Sequence, residues 1–215
     1  MLGPSGPTIG TPHPRWTMSL FDLTRAQALD ETILRAARGA PGWAVPIFHG
    51  LTVVGAGWGL LALVPFLARR TTRFAATWAL GACVATSGLV SLLKLIVGRA
   101  RPCDALAWCA PIAVASPGGG SFPSGHAAGS FAVAAFAAWQ SPKLAAVMLP
   151  YAVGVAWSRC VLGVHYPSDV LAGALLGAAV GTAFALAHRA RATTATGVET
   201  SRVETTRGAR GRAVP

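Results

Sequence analysis

Three short stretches of this chain carry residues suited to holding a phosphate and moving a phosphoryl group. The first is Lys94 followed by Arg101-Pro102. Seven residues of helix cover nearly two turns, about 10 Å along one side, so both cations lean toward one place if the helix persists. Pro102 disfavours helix at Arg101 and is expected to end it there. A snorkelling lysine beside a basic helix end is the plainer alternative. The second stretch is Phe122-Pro123-Ser124-Gly125-His126. Proline suits a first helical position, which leaves the N–H groups of Ser124, Gly125 and His126 as an anion site. Gly125 lets a phosphate approach the backbone closely, and His126 sets a titratable group beside it. A glycine-rich loop with a capping serine would read the same way.

The third stretch is Ser158-Arg159 and, five residues on, His165-Tyr166-Pro167-Ser168-Asp169. Pro167 marks another helix start, so His165 falls just outside it and Asp169 in its first turn. There Asp169 can accept a ring N–H of His165 and leave the other nitrogen free to attack. Complementing the helix dipole is its plainer role. Arg159 has no acidic neighbour in sequence, and a bound phosphate would supply the anion it requires.

Together these residues suffice for phosphoryl transfer. Cations and N–H donors stabilise the equatorial oxygens, one histidine attacks in line, and another protonates the departing oxygen. Neither zinc-ligand spacing nor a carboxylate pair for magnesium is present, so no metal and no cofactor is expected.

The elements that must position these residues are membrane helices. The 215 residues are 53 % hydrophobic and 12 % charged, about half the charge of an ordinary soluble domain. This excludes disorder, a collagen-like rod and a soluble enzyme. The 18 Lys plus Arg against 7 Asp plus Glu sit between apolar runs rather than on one aromatic-lined face, so no nucleic-acid partner is expected. A hydrocarbon core of about 30 Å needs around 20 apolar residues, a requirement that Trp43 to Ala68 and Phe74 to Gly98 meet. Phe122 to Trp139, Leu144 to Val161 and Pro167 to Ala187 are shorter or comparable runs that complete the set. The expected fold is an all-α polytopic membrane bundle of about five transmembrane helices.

An amphipathic interfacial helix is expected before them, from Ser19 to Arg38, with Leu23, Ala26, Leu29, Ile33 and Ala37 on its apolar side. Asp30 interrupts that stripe, and nothing in the sequence accounts for it. Residues 1–18 are expected to be a disordered N-terminus, 19–188 the membrane-embedded domain and 189–215 a disordered basic tail. Arg69, Arg70, Arg73, Lys143, Arg189 and Arg191 fall on one face, which the positive-inside rule makes cytoplasmic. Cys103 and Cys109 share a loop and can pair if it meets an oxidising compartment.

The three stretches, in residue type, order and internal spacing, resemble the three-part signature of the type 2 phosphatidic acid phosphatase and vanadium haloperoxidase superfamily. The resemblance covers residues from about 20 to 187 and implies a membrane lipid phosphatase independent of metal. It implies that His165 is the nucleophile forming a phosphohistidine, that Asp169 orients it, and that His126 protonates the leaving alkoxide. Lys94, Arg101, Ser124, Gly125 and Arg159 would hold the phosphate. The implied substrate is an isoprenoid (di)phosphate, phosphatidic acid or phosphatidylglycerol phosphate in the bilayer. The implied location is a bacterial plasma membrane with the site on its extracytoplasmic face. Arg99, two residues before Arg101, offers a contact for a second phosphate, against the plain reading of an interfacial arginine. The competing functions are lipid phosphotransfer at the same site, vanadium-dependent halide oxidation, and a silent membrane binding protein. Oligomeric state is not legible.

Overall fold

The computed structural model describes residues 24–55, 64–110, 112 and 119–211, and among them there is no strand. Helix α1 covers Thr24–Arg38, a 3-10 turn Gly42–Ala44, α2 Val45–Gly55 and α3 Val64–Ala68. Then come α4 (Arg73–Val97), α5 (Pro102–Ala105), α6 (Gly125–Gln140), α7 (Pro142–Val161) and α8 (Pro167–Gly211). Three helical stretches among the described residues are long and apolar enough to cross a bilayer: Arg73–Ala105, Pro142–Val161 and Pro167–Thr194. Large apolar side chains on outward faces, with Leu95 84 % exposed, are what a lipid-facing surface presents. The protein is an all-α, polytopic membrane helix bundle.

The expected first span, Trp43 to Ala68, falls on α2 and α3, and 56–63 between them are outside the described residues. The expected third span, α6, is 16 residues long, about 24 Å of helix. It is the centre of the bundle, packed against α4, α7, α8 and α2. Its closest partner is α8, because Gly173, Gly177 and Gly181 are spaced four apart on one side of that helix. A Cβ at these positions would press on the carbonyls of Ser124, Ala128 and Ala132 in turn. Small residues at this spacing let two membrane helices meet backbone to backbone. Ser124 N–H also donates to the Asp169 carbonyl at 2.9 Å, so α6 and α8 start side by side at the same end.

α1 differs from the expected stripe. Its buried residues are Asp30, Leu34 and Ala37, while Leu29 is 61 % exposed. The face turned to α7 and α8 is therefore rotated from the one that periodicity suggests, with a carboxylate at its centre. Leu34 and Ala37 pack with Cys160, Val161 and Tyr166, which fixes α1 over the turn that holds His165. α8 continues to Gly211, past residue 189, where the sequence suggests that a disordered tail begins. No proline interrupts that stretch, and its Ala, Arg, Thr and Glu content permits helix. The expected disordered segment 1–18 lies outside the described residues. Cys103 and Cys109 are joined in a disulfide, and Cys83 and Cys160 are free and buried.

Candidate active site

The site forms where α4 ends and α6 and α8 begin. α4 stops at Val97, one turn before Arg101, because Gly98 takes a left-handed conformation (φ 59°) and returns its N–H to the Lys94 carbonyl at 3.0 Å. Glycine adopts that conformation without the Cβ penalty. A persisting helix is thus not what aligns Lys94 with Arg101. The extended segment after Gly98 turns back, and both side chains donate to the Gly120 carbonyl, Arg101 Nη2 at 3.4 Å.

Arg101 also reaches the turn between α7 and α8. Its Nη1 donates to the Val164 carbonyl at 2.9 Å and lies 3.2 Å from His165 Nε2. A guanidinium only donates, so Nε2 is the accepting nitrogen and the ring proton is assigned to Nδ1. His165 is buried, and burial pushes its imidazole down to about 4 against the opposing pull of Asp169. The ring is therefore neutral near pH 7, with Nε2 unprotonated and its lone pair turned toward Arg101.

On the other side of the ring, Asp169 is placed differently from the simple pairing expected of it. Its Oδ2 is 3.7 Å from His165 Nδ1, beyond hydrogen-bond length. The same oxygen accepts from Ser121 Oγ at 2.5 Å and from the Tyr166 N–H at 2.9 Å. Ser121 Oγ is 3.4 Å from His165 Nδ1, so hydroxyl, carboxylate and ring nitrogen meet in one triangle, with the hydroxyl nearer to the ring than the carboxylate is. Nothing in the sequence around Ser121 signals this role.

Arg99 does not face a second phosphate. Its Nη1 donates to Asp169 Oδ1 and to Ser168 Oγ, each at 2.7 Å, and its Nη2 to Asp30 Oδ2 at 2.8 Å and Gln27 Oε1 at 3.0 Å. Two carboxylates hold it because both are buried, and a buried carboxylate requires a paired charge. Asp30, the residue without an explanation in the sequence, thereby has one. Its interruption of an apolar stripe was the signal that it could carry.

Arg159 is held by α2. Thr52, the buried residue of α2, accepts from Arg159 Nη1 at 3.1 Å and shares a 2.6 Å hydrogen bond with Ser158 Oγ. Among the described residues Arg159 Nε, Arg101 Nε and Ser124 Oγ are buried with no hydrogen-bond partner. Lys94, Arg101, Arg159 and His126 lie close enough to act on one another electrostatically. Ser124 N–H is taken by Asp169, so of the three donors expected at the α6 start it is Gly125 and His126 that remain. Uncompensated buried cations are costly, and a phosphate among these donors would relieve that cost. The structure thus brings together all three sequence stretches.

From Gly125 and His126 an apolar cleft of about 860 Å³ runs along α6 to Gln140, walled by α4 and by Leu144, Met148 and Tyr151 of α7.

The chain is similar in sequence and fold to known proteins. Decaprenylphosphoryl-5-phosphoribose phosphatase of Mycobacterium tuberculosis (strain ATCC 25618 / H37Rv) is 40 % identical over 129 residues, 58 % of this chain and 68 % of that protein. Lipid A 1-phosphatase of Rhizobium johnstonii is 33 % identical over 196 residues, 79 % of this chain and 80 % of that protein. Among solved structures, the PAP2-type phosphatidylglycerolphosphate phosphatase from Bacillus subtilis superposes with a TM-score of 0.67 at 25 % identity, covering 80 % of this chain and 89 % of its own. Aquifex aeolicus LpxE gives 0.66 at 26 % identity, covering 78 % and 98 %. Residues 72–192, which include Lys94, Arg101, His126, Arg159, His165 and Asp169, match the PAP2 superfamily, and the chain belongs to that family.

Proposed function

We propose that this protein is a membrane phosphatase that hydrolyses a lipid phosphate, an isoprenoid (di)phosphate or a glycolipid or phospholipid phosphate, through a phosphohistidine. The observation that carries the lipid class is the apolar cleft that opens at His126. A chain lying along α6 from Gly125 to Gln140 has about 23 Å of apolar wall. The curated relatives act, by their names, on phosphate groups carried by lipids.

In this reading Lys94, Arg101, Arg159, Ser124 and the N–H groups of Gly125 and His126 take the phosphate oxygens. His165 Nε2 attacks phosphorus while the bond to the lipid oxygen breaks, and His126 gives that oxygen its proton. The negative charge of the bound phosphate favours the protonated form of His126 beforehand. The imidazole becomes cationic when Nε2 bonds to phosphorus. Its Nδ1–H faces Ser121 and Asp169, which offset the new charge. Water then attacks phosphorus, its proton passes to His126, the P–N bond breaks and inorganic phosphate leaves. Each step is filled by a group of this chain, and none is routed through a metal ion.

We also place the site on the extracytoplasmic side of a bacterial plasma membrane. Arg189 stacks over Trp139 at 5.6 Å and Arg191 over Trp78 at 5.5 Å, which gathers the basic helix ends opposite the site. The positive-inside rule turns that end to the cytoplasm.

The test is phosphate release in EDTA by the detergent-purified protein, from polyprenyl diphosphate, phosphatidic acid, phosphatidylglycerol phosphate and decaprenylphosphoryl-5-phosphoribose. His165→Ala is the control. Release that the variant loses supports the reading and ranks the substrates. Release that persists in EDTA with His165→Ala, or none from any lipid by the folded protein, refutes it.

A further inference from the structure

Asp30 lies outside the residues matched by the family, on a helix whose place in the bundle comes from packing. Yet Asp30 is 5 % exposed and belongs to a buried row, Asp30–Arg99–Asp169, that ends beside His165. We propose that Asp30 is a positioning residue for catalysis, which holds Arg99 so that the negative charge of Asp169 stays directed at His165. The proposal rests on the reading that His165 is the nucleophile.

The charges in the row decide the effect. Arg99 carries one positive charge between two carboxylates, so the row as a whole is negative by one. With Asp30 neutral, Arg99 would be balanced by Asp169 alone, and the row beside His165 would be neutral. His165 must become cationic when it takes the phosphoryl group, and on its far side it already faces Arg101 and Arg159. A residual negative charge behind it favours that change. The geometry holds the row in register. Arg99 Cζ lies 4.0 Å above the ring of Tyr166. Asp30 Oδ1 accepts the Ser168 N–H at 2.8 Å, and Oδ2 accepts Ser168 Oγ at 2.5 Å. Asp30 thus grips the first turn of α8 one residue before Asp169. Ser168 Oγ accepts from Arg99 and donates to Asp30, which leaves the three side chains little freedom to rotate.

A purely structural anchor would predict lower stability and nothing more. Four full-length variants in detergent separate the two roles: Asp30→Asn, Asp30→Glu, Arg99→Gln and the Asp30→Asn/Arg99→Gln pair, with phosphatidic acid in mixed micelles as substrate. Asp30→Asn is expected to lower kcat about tenfold or more with KM within about twofold, the pattern of an interaction made in the transition state. Asp30→Glu should recover most of that loss. The double variant restores the charge of the row, so its kcat should exceed that of Asp30→Asn, a coupling that independent sites do not show. In histidine-labelled protein, Arg99→Gln should raise the titration midpoint of His165, and adding Asp30→Asn should bring it back. This last comparison stands even if Asp30→Asn alone fails to fold. An unchanged kcat in Asp30→Asn, a double variant no better than it, or a His165 midpoint indifferent to both charges overturns the proposal. His165→Gln that still turns over would instead overturn the nucleophile assignment.

Discussion

Ser121 Oγ donates to Asp169 Oδ2 at 2.5 Å and lies 3.4 Å from His165 Nδ1, so hydroxyl and carboxylate both border the same ring nitrogen. The buried carboxylate also accepts from the Tyr166 N–H and Arg99, which fix its orientation. Orientation of the imidazole is therefore shared by serine and aspartate.

Ser121→Ala should lower kcat about tenfold, the equivalent of roughly 1.4 kcal/mol and of one hydrogen bond to a charged group. KM should change little. Asp169→Asn, which removes the charge as well, should cost at least about a further tenfold. Steady-state kinetics of the two variants check this, and a Ser121→Ala protein with wild-type kcat would show that the serine is idle.

His165 should remain neutral through the physiological range and take its proton near pH 4, because burial holds the folded-state value at about 4. Between about 6.5 and that point the unfolded chain binds a proton that the folded site refuses. Stability from this group is therefore lost as pH falls through that window. Nuclear magnetic resonance of histidine-labelled protein, assigned by loss of the signal in His165→Gln, reads the midpoint directly. A midpoint at or above 6.5 contradicts the burial argument.

Inorganic phosphate should raise the melting temperature of the wild-type protein, since an anion that binds only the folded site stabilises by mass action. Arg159→Gln should abolish most of that rise, and Thr52→Val should weaken it about tenfold in phosphate concentration, the loss of one hydrogen bond to a charged group. Thermal scans across a phosphate titration give both numbers. Equal shifts in all three proteins would place the anion elsewhere.

Gly177→Ala should destabilise the bundle by about 1–3 kcal/mol, the range of overpacking, because its Cβ would press on the Ala128 carbonyl. Activity should fall with it, since α6 and α8 carry His126 and Asp169 side by side. Gly88→Ala is the control: it meets nothing within 4 Å and gains helix propensity. Denaturation and turnover of the two proteins in detergent settle the comparison, and equal stability would rule out the close approach.

The kind of chemistry was legible in the chain because it depends on residue type and short spacing. Pro123-Ser124-Gly125-His126 and His165 to Asp169 each lie within one turn of a helix start, so local geometry alone puts donor, base and phosphate cradle together. The membrane helices were legible for the same reason, as runs of apolar residues longer than any polar interruption. Other parts of the site depend on residues far apart in sequence, and these leave no local mark in the chain. Lys94 and Arg101 were expected to share a helix face, but Gly98 ends the helix and the Gly120 carbonyl gathers them. Arg99 was offered a phosphate and instead holds two carboxylates, one from α1 and one from α8. Ser121 and Thr52 look like ordinary polar residues until folding sets them against Asp169 and Arg159. Asp30 could be seen only as a misfit in an apolar stripe. Its partner was decided by the rotation of α1 about its own axis, which depends on packing against α7 and α8 and leaves no periodic mark in the chain.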